Sequence, residues 1–395
     1  MPTFDQPQPD LLIPCQRRLF DIPDDVAYLN CAYISPLLLA SRDAGHAGVT
    51  RKLRPWEISP SDFFTGAETG RELFARLIGA SPDDIALTPS ASYGLSTAAR
   101  NVPLGRGQAI LLLHEQFPSN VYPWRELAKE RGGEIVTLAR PDDDDWTQAI
   151  LEALNERVAI AALPHVHWTD GALIDLERVG SRCRQVGAAL VIDGTQSVGA
   201  LPFDVKAIQP DFLAVATYKW LLGPYGAGYL YVAPKWQEGV PLEHNWFHRK
   251  DSDNFATLVD YRDDYQPGAR RFDVGERGSI HLVPMANAGL RQLLEWGVEK
   301  IQKTIRARTD RIALRAAGMG IGTLPGKQRA GHYLGLRFEG DSPEGLAGQL
   351  ARERVYVSAR GRSAMRVTPH LWVTDADEDR FFEALTTALK GSATP

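Results

Sequence analysis

Short apolar runs rich in β-branched residues alternate with amphipathic stretches between about residue 65 and residue 235. The apolar runs are DIALTPS, AILLLHE, EIVTLAR, AIAALPHV, ALVIDG, DFLAVATY and GYLYV. The stretches between them, such as TGRELFARLIG and WTQAILEALNER, carry apolar residues at the i, i+3, i+4 spacing of helices. This alternation predicts an α/β fold with a mainly parallel, seven-stranded sheet and helices on both faces. Ligands of such sheets bind at the carboxyl ends of the strands.

The pattern changes after about residue 285. A long amphipathic stretch, MANAGLRQLLEWGVEKIQKTIRARTDRIALRAAG, precedes strands such as HYLGLRF and AMRVTPH and a final helical stretch. These elements predict a smaller α+β C-terminal domain over residues 285–395. The N-terminal segment, residues 1–35, is expected to pack with that small domain, which leaves residues 36–284 as the large domain.

Composition and charge narrow the classes of function. A chain of 395 residues exceeds what one core usually holds, in agreement with two domains. The formal net charge of -5 gives no basic excess, so no nucleic acid and no anionic membrane is expected as a partner. Three widely separated cysteines, Cys15, Cys31 and Cys183, indicate a reducing environment rather than a disulfide framework. With no secretory leader pattern and no apolar run long enough to span a bilayer, we expect a cytoplasmic protein.

Two charged residues lie at the ends of apolar strands. Asp193 ends the run ALVID, and Lys219 follows DFLAVATY. A lysine in this position is usually a surface charge, and an aspartate is often a helix cap. However, a buried carboxylate needs a cation or a strong donor, and Thr195 and Ser197 already offer capping hydroxyls. An embedded lysine beside such a carboxylate is what pyridoxal phosphate chemistry requires, because the amine forms a Schiff base with the aldehyde and the carboxylate keeps the pyridine nitrogen protonated.

These segments resemble the class V aminotransferase family of fold type I pyridoxal-phosphate enzymes, which includes cysteine desulfurases, kynureninases and isopenicillin N epimerase-like proteins. The resemblance extends from YLNCAY to the last helix. It implies the fold type I architecture, with residues 36–284 as the domain that binds pyridoxal 5'-phosphate. It also implies that Lys219 and Asp193 are the catalytic pair and that Gln196 contacts the phenolic oxygen of the cofactor.

The segment ALTPSASYG places Ser90, Ala91 and Ser92 between a strand and a helix. Free amide N–H groups and small hydroxyl side chains at a helix N-terminus can cradle a phosphate, although a Ser-x-Ser sequence is also an ordinary cap. The resemblance favours the phosphate role. It implies the same role for Tyr218, which matches the Tyr-Lys-aromatic pattern of kynureninases and carries a hydroxyl donor.

Phe117 is the candidate for the ring that stacks on the cofactor. The alternative is that it is a core residue, as aromatic residues usually are. Cysteine desulfurases have a histidine at this position, whereas kynureninases have a Phe-Pro pair like Phe117-Pro118. Desulfurases also need a thiol on the loop that corresponds to VSARGRSAM, which has no cysteine here. Persulfide-forming desulfuration is therefore disfavoured.

Two histidines, His165 and His167, lie two residues apart in LPHVHWTDG and are expected on one side of a strand. No third ligand is identifiable nearby, so we expect no metal site. The acidic run from Asp142 to Asp145 lacks the glycine-spaced ligands of a calcium loop and is interpreted as a solvated helix start. In the family this strand end lies beside the cofactor, so either His167 or Trp168 is expected to contact the phenolic oxygen or the substrate.

Arg366, in the strand SAMRVTPH, matches the arginine that binds the substrate α-carboxylate in this superfamily. Its planar guanidinium suits bidentate contact with a carboxylate, whereas an arginine on a strand is otherwise most often a surface charge. Asn30, in the turn YLNCAY, is a candidate for a second carboxylate contact.

The loop RRFDVGERGS carries Gly275 and Glu276 where relatives have Gly-Thr in a loop that reaches the phosphate site of the neighbouring subunit. An ionised glutamate cannot donate to phosphate, so only its backbone amide could serve. The resemblance thus implies a homodimer with shared active sites, in keeping with the usual two-fold symmetry of oligomers.

We therefore expect an enzyme of the class V aminotransferase type that acts at the α-carbon of an amino-acid substrate, with Lys219 as the base. The alternatives are a β-lyase, either kynureninase-like or a C–S lyase, and an amino-acid epimerase, because fold and cofactor site do not decide among these reactions. A catalytically silent cofactor-binding paralogue is the least favoured, since Lys219, Asp193 and Arg366 occur together.

Overall fold

The fold is built around one large sheet and one smaller sheet. The computed structural model describes residues 12–391. Its strands, in chain order, are β1 (Ala27–Tyr28), β2 (Ile85–Thr88), β3 (Ala109–Leu113), β4 (Glu134–Leu138), β5 (Val158–Pro164), β6 (Ala189–Asp193), β7 (Phe212–Ala216), β8 (Gly228–Val232), β9 (Gly322–Thr323), β10 (Leu334–Arg337), β11 (Val355–Tyr356), β12 (Ser358–Arg360) and β13 (Ala364–Val367).

Helices alternate with these strands over most of the chain. Helices α2, α4 and α6 end at Gly79, Gly132 and Gly187, which adopt the left-handed conformation that glycine accepts most readily. In chain order the α-helices are α1 (Leu39–Lys52), α2 (Asp62–Ile78), α3 (Ala91–Asn101), α4 (Tyr122–Arg131), α5 (Trp146–Ala153), α6 (Leu176–Val186), α7 (Val205–Ile208), α8 (Leu282–Trp296), α9 (Val298–Ala317), α10 (Leu346–Arg352) and α11 (Asp375–Gly391).

The large sheet has seven strands in the order β2-β8-β7-β6-β5-β3-β4. Strand β8 is antiparallel to both of its neighbours, and the other neighbouring pairs are parallel. Every residue of β3, β6 and β7 is buried, whereas the edge strand β4 is largely exposed. The prediction of a mainly parallel, seven-stranded sheet is confirmed, because continuous apolar runs are typical of strands covered on both faces.

Helices cover both faces of this sheet. Successive side chains of a strand point to opposite faces, and along β3 they enter two separate cores. Ile110 and Leu112 pack in a core with residues of α3 and α4, such as Leu95 and Trp124. Leu111 belongs to the other core, which includes residues of α2, α5, α6 and α8. The expected two-sided helical cover is therefore confirmed.

The C-terminal part of the chain forms an antiparallel sheet in the order β12-β13-β10-β9, with α9 and α10 beside it, while α11 packs against α10, β1 and β11. The N-terminal segment joins this part, since β1 pairs in parallel with β11 and Asn30 forms a bridge with Thr368. The domain boundaries at residues 35 and 284 stay a prediction. Residues 1–11 and 392–395 lie outside the described part of the chain.

A buried ion network fixes the loop that carries Gly275 and Glu276. The carboxylate of Asp273 accepts a hydrogen bond from the backbone N–H of Leu87 at 2.8 Å and pairs with Arg71 of α2 at 2.8 Å. It also pairs with Arg277. Burial alone would raise the pKa of Asp273, but the two guanidinium groups outweigh it and lower this pKa to about 2. The loop is thus tied to β2 and α2.

Within residues 12–391, no helix combines the length and the apolar composition that crossing a bilayer requires.

Candidate active site

A cavity lies at the carboxyl edge of the large sheet. Strands β2, β3, β5, β6 and β7 all end at this edge, because β2 and β7 are both antiparallel to β8. The segments that follow these five strands supply most of the cavity wall. The predicted site residues that line the cavity are Ser90, Ala91, Ser92, Phe117, Trp168, Asp193, Gln196, Tyr218 and Lys219.

Lys219 and Asp193 are both buried in this cavity wall, with 6% and 9% of their surface exposed. The Lys219 amine makes no hydrogen bond and no ion pair with any described residue, and its Nζ lies 5.4 Å from the centre of the Phe117 ring. Asp193 Oδ1 accepts a hydrogen bond from the backbone N–H of Thr195 at 3.0 Å. The two groups thus line one cavity without an ion pair between them.

Burial shifts both groups towards their neutral forms. It lowers the pKa of Lys219 to about 8, although the nearby Asp193 opposes the shift. It also raises the pKa of Asp193. A lysine with a pKa of about 8 is partly neutral near neutral pH and can act as a nucleophile or a base. A cation bound opposite Asp193 would offset the cost of burying its carboxylate, and a protonated pyridine nitrogen is one such cation.

The amino end of α3 forms one side of the cavity. Ser90 caps this helix, since its Oγ accepts a hydrogen bond from the Tyr93 N–H at 3.2 Å, and it lies 2.9 Å from Ser92 Oγ. The capping role of Ser90 is therefore confirmed, and the same geometry presents the first-turn N–H groups of Ala91 and Ser92 to the cavity. This donor set fits a phosphate.

Tyr218 lies in the same cavity, with its ring centre 4.7 Å from that of Tyr225. Burial raises the pKa of Tyr218 to about 12, so its hydroxyl remains protonated and can donate a hydrogen bond.

The side-chain amide of Gln196 is held in place by two hydrogen bonds. Its Nε2 donates to the carbonyl of Ala32 at 3.1 Å, and its Oε1 accepts from the indole of Trp220 at 3.0 Å. A side-chain amide has two N–H hydrogens, so one remains available to an oxygen in the cavity.

Phe117 is not a core residue, because 36% of its surface is exposed. It projects into the cavity, where its ring meets the Trp168 ring edge to face at 5.4 Å. Two aromatic side chains therefore wall the space beside Lys219.

The structure does not place His167 in the cavity. Its ring stacks on Trp146, and its two nitrogens are hydrogen-bonded to Thr169 Oγ1 at 2.7 Å and to the carbonyl of His114 at 3.0 Å. Both His165 and His167 lie beyond the end of β5 rather than on the strand. Trp168 is the residue of this segment that lines the cavity. Within residues 12–391, no group of three or more His, Cys, Asp or Glu side chains could hold a metal ion.

Arg366, which contacts Trp168, and Asn30 both lie outside the cavity lining. Arg366 is 1% exposed, so it is not a surface charge, and its Nη1 donates to the Tyr333 hydroxyl and to the Trp168 carbonyl, both at 3.0 Å. Asn30 Oδ1 accepts from Ser358 Oγ at 2.7 Å. Neither side chain is paired with a carboxylate of the described residues, so their role in binding a substrate carboxylate stays a prediction.

Gly275 and Glu276 also lie outside this cavity. The N–H of Gly275 donates to the carboxylate of Glu243, and Glu276 is exposed with a backbone φ of 59°.

Sequence reasoning missed three residues at or near the site. Gln116, in the cavity wall, braces the Phe117 loop by donating to the carbonyls of Asn120 at 2.7 Å and Ala162 at 3.0 Å. Tyr225 also lines the cavity, and the glycines around it in GPYGAG were a usable signal for a loop that approaches a ligand. Arg360 lies over the Trp168 ring with its Cζ 4.7 Å from the ring centre.

The sequence is similar to a family model and to known proteins over most of its length. The model of the aminotransferase class-V family matches residues 59–375. Isopenicillin N epimerase from Streptomyces clavuligerus is 26% identical over 332 residues, which cover 80% of this chain and 82% of that protein. Kynureninase from Burkholderia mallei (strain SAVP1) is 27% identical over 351 residues, which cover 83% of this chain and 80% of that protein.

Solved structures share the fold. The apo structure of a cysteine desulfurase from Thermococcus onnurineus NA1 superposes with a TM-score of 0.82 at 20% identity and covers 99% of this chain and 100% of that chain. A C-DES mutant with glycine covalently linked to its PLP cofactor gives a TM-score of 0.83 at 17% identity, with 94% and 98% of the two chains covered. The expected fold type I architecture is thereby confirmed.

Proposed function

The chain belongs to the class V aminotransferase family and is a pyridoxal-phosphate-dependent enzyme, and we propose that it acts at the α-carbon of an amino-acid substrate through Lys219. The observation that carries this proposal is the pair of Lys219 and Asp193, buried in one cavity without an ion pair between them. Pyridoxal phosphate, when bound, supplies an aldehyde that captures the substrate amine and a ring that accepts electrons from the α-carbon.

The chemistry of the cavity residues assigns them to different parts of the cofactor. Ser90, Ala91, Ser92 and Tyr218 would hold the phosphate through hydroxyl and backbone N–H donors. Asp193 would face the ring nitrogen and keep its proton.

The remaining groups act on the substrate. Lys219, with its pKa lowered to about 8, can take and return the α-proton at its Nζ. Phe117 and Trp168 line the cavity beside Lys219 and would limit the access of water, and Arg366 would bind the α-carboxylate.

A β-lyase is the second candidate reaction. Phe117 and Tyr218, which match the kynureninase pattern, both face the cavity, and Lys219 Nζ lies 5.4 Å and 5.3 Å from their ring centres. An amino-acid epimerase is a third candidate, supported by the relative from Streptomyces clavuligerus. A catalytically silent paralogue is the least favoured, because a partly neutral, buried lysine has no structural role in this cavity.

The test of the proposal is chemical labelling. Purified protein loaded with pyridoxal phosphate should be yellow, and borohydride reduction should leave a pyridoxyl group on the peptide that contains Lys219. Peptide mass mapping reads this out. A Lys235→Ala variant, which alters an exposed lysine outside the cavity, should still be labelled at Lys219. A label on another lysine in the parent protein, or no uptake of the cofactor, contradicts the proposal.

The proposal includes a homodimer with shared active sites. It is supported by the anchored loop that exposes Glu276, and by large apolar side chains that lie exposed outside the cavity, including Leu53, Trp56 and Tyr261. Light scattering of the cofactor-loaded protein should give twice the chain mass, and an active, loaded monomer would contradict this expectation. A cytoplasmic location is proposed as well, supported by three cysteines that form no disulfide.

A further inference from the structure

Two arginines share one face of the small sheet beside the cavity. In the antiparallel pairing of β12 with β13, Ser358 lies opposite Arg366, and Arg360 lies two residues further along β12. Because side chains alternate along a strand, Arg360 and Arg366 emerge on the same face. Both guanidinium groups lie over the Trp168 ring, with their Cζ atoms 4.7 Å and 5.7 Å from its centre. Trp168 in turn lines the cavity.

These two arginines lack carboxylate partners. No carboxylate of the described residues lies within 4.0 Å of either guanidinium, and the Nε atoms of both are buried without a hydrogen-bond partner. Arg360 Nη1 donates only to the carbonyl of Ala359, at 2.7 Å. The nearby Arg337 shows the contrast, since it is paired with Asp144 at 2.6 Å and with Asp170 at 2.9 Å.

The missing partners have an electrostatic consequence. Burial and the neighbouring Arg366 lower the pKa of Arg360 to about 10, and both arginines help to lower that of Lys219. Asp193 is the only carboxylate among the cavity-lining residues of the described chain, and it lies beside Lys219. The α-carboxylate of a substrate compensates one guanidinium. The phosphate of the cofactor is assigned to the hydroxyl donors Ser90, Ser92 and Tyr218 in the cavity wall, so the second guanidinium is left without an anionic partner.

We infer that Arg360 binds a second anionic group, so that the substrate is an amino acid with an acidic side chain. This inference rests on the proposed function, because it assumes that Arg366 binds the α-carboxylate of an amino acid in this cavity. The planar fork of Arg360, whose Cζ lies 4.7 Å from the centre of the Trp168 ring, suits a carboxylate or a sulfinate on the β- or γ-carbon. Arg360 is thus a residue that determines specificity.

The experiment uses the cofactor-loaded protein with an isosteric pair of ligands, l-aspartate and l-asparagine, and with l-alanine as a ligand without a polar side chain. Dissociation constants come from the change in cofactor absorbance during titration, so that turnover is not needed. The parent protein should bind l-aspartate at least tenfold more tightly than l-asparagine. The Arg360→Gln variant should lose about 30-fold or more in affinity for l-aspartate, as expected when one member of a desolvated charge pair is removed. Its affinity for l-asparagine should fall much less.

Two further variants exclude trivial explanations. Arg362→Gln alters a neighbouring arginine whose side chain is 86% exposed, and it should leave both dissociation constants unchanged. Arg360→Lys keeps the charge and should retain part of the preference for l-aspartate. If Arg360→Gln no longer loads the cofactor, the test rests on Arg360→Lys. A retained part of the preference for l-aspartate supports the inference, and an unchanged preference contradicts it.

The outcomes separate this inference from the proposed function. If no amino acid changes the absorbance of the loaded parent protein, the proposed function fails. If l-asparagine and l-alanine bind as tightly as l-aspartate, only the acidic-substrate inference fails. If Arg360→Gln weakens all three ligands equally, Arg360 shares the α-carboxylate with Arg366, and the second anionic subsite does not exist.

Discussion

Replacing Asp193 by asparagine should lower turnover by about 10²–10³-fold while amino-acid binding persists. Asparagine has nearly the same shape and can still accept the hydrogen bond from the Thr195 N–H through its Oδ1. It carries no charge, however, and therefore cannot hold a proton on the nitrogen of a pyridine ring. Loss of one fixed electrostatic partner in a desolvated site typically costs this factor in kcat. Steady-state kinetics with an identified substrate would measure kcat and KM separately.

Asp211 provides the matched control for this substitution. It is also a buried aspartate next to a strand of the large sheet, with 5% of its surface exposed, but it bonds the backbone of Leu190 and the indole of Trp236 away from the cavity. Asp211→Asn should reduce thermal stability without the selective loss in kcat. If Asp193→Asn turned over like the parent protein with the cofactor fully loaded, Asp193 would not be the partner of the ring nitrogen.

The sequence predicts the large sheet well because its signal is local. Runs such as AILLL and ALVID are apolar at every position, and the structure buries them on both faces. The same locality identifies Asp193 and Lys219, since each follows such a run and parallel strands bring their carboxyl ends together. Site residues at strand ends are therefore the ones that can be predicted most directly from the sequence.

Residues beyond the strand ends are harder to predict. The choice between His167 and Trp168 depends on how the chain turns after β5, and the turn sends His167 towards Trp146 and Trp168 towards the cavity. Arg360 was missed for a related reason. Its position beside Arg366 follows from the register of β12 on β13, which is set by the pairing of two short strands and not by any periodicity within them.

Replacing Arg366 by alanine should weaken the binding of every amino-acid substrate by about 2–5 kcal/mol, which corresponds to a loss of about 30-fold or more in apparent affinity. The guanidinium is 1% exposed and has no carboxylate partner among the described residues, so a bound α-carboxylate would be paired with it in a desolvated setting. The effect should appear in KM and in kcat/KM. The absorbance of the loaded enzyme without substrate should stay normal, because the phosphate donors and Lys219 are untouched.

The loss should not depend on the side chain of the substrate, and this feature separates Arg366 from Arg360. Arg366→Lys keeps the charge but not the planar fork, so it should restore only part of the affinity. Arg362→Ala, which removes an exposed arginine from the same part of the chain, should have no effect. Affinity is compared on cofactor-loaded, folded protein, because Arg366→Ala removes a buried side chain that donates to Tyr333 and Trp168. A loaded Arg366→Ala enzyme with the affinity of the parent protein would show that the α-carboxylate is bound elsewhere, and Asn30, whose Oδ1 is held by Ser358, would then be the next residue to change.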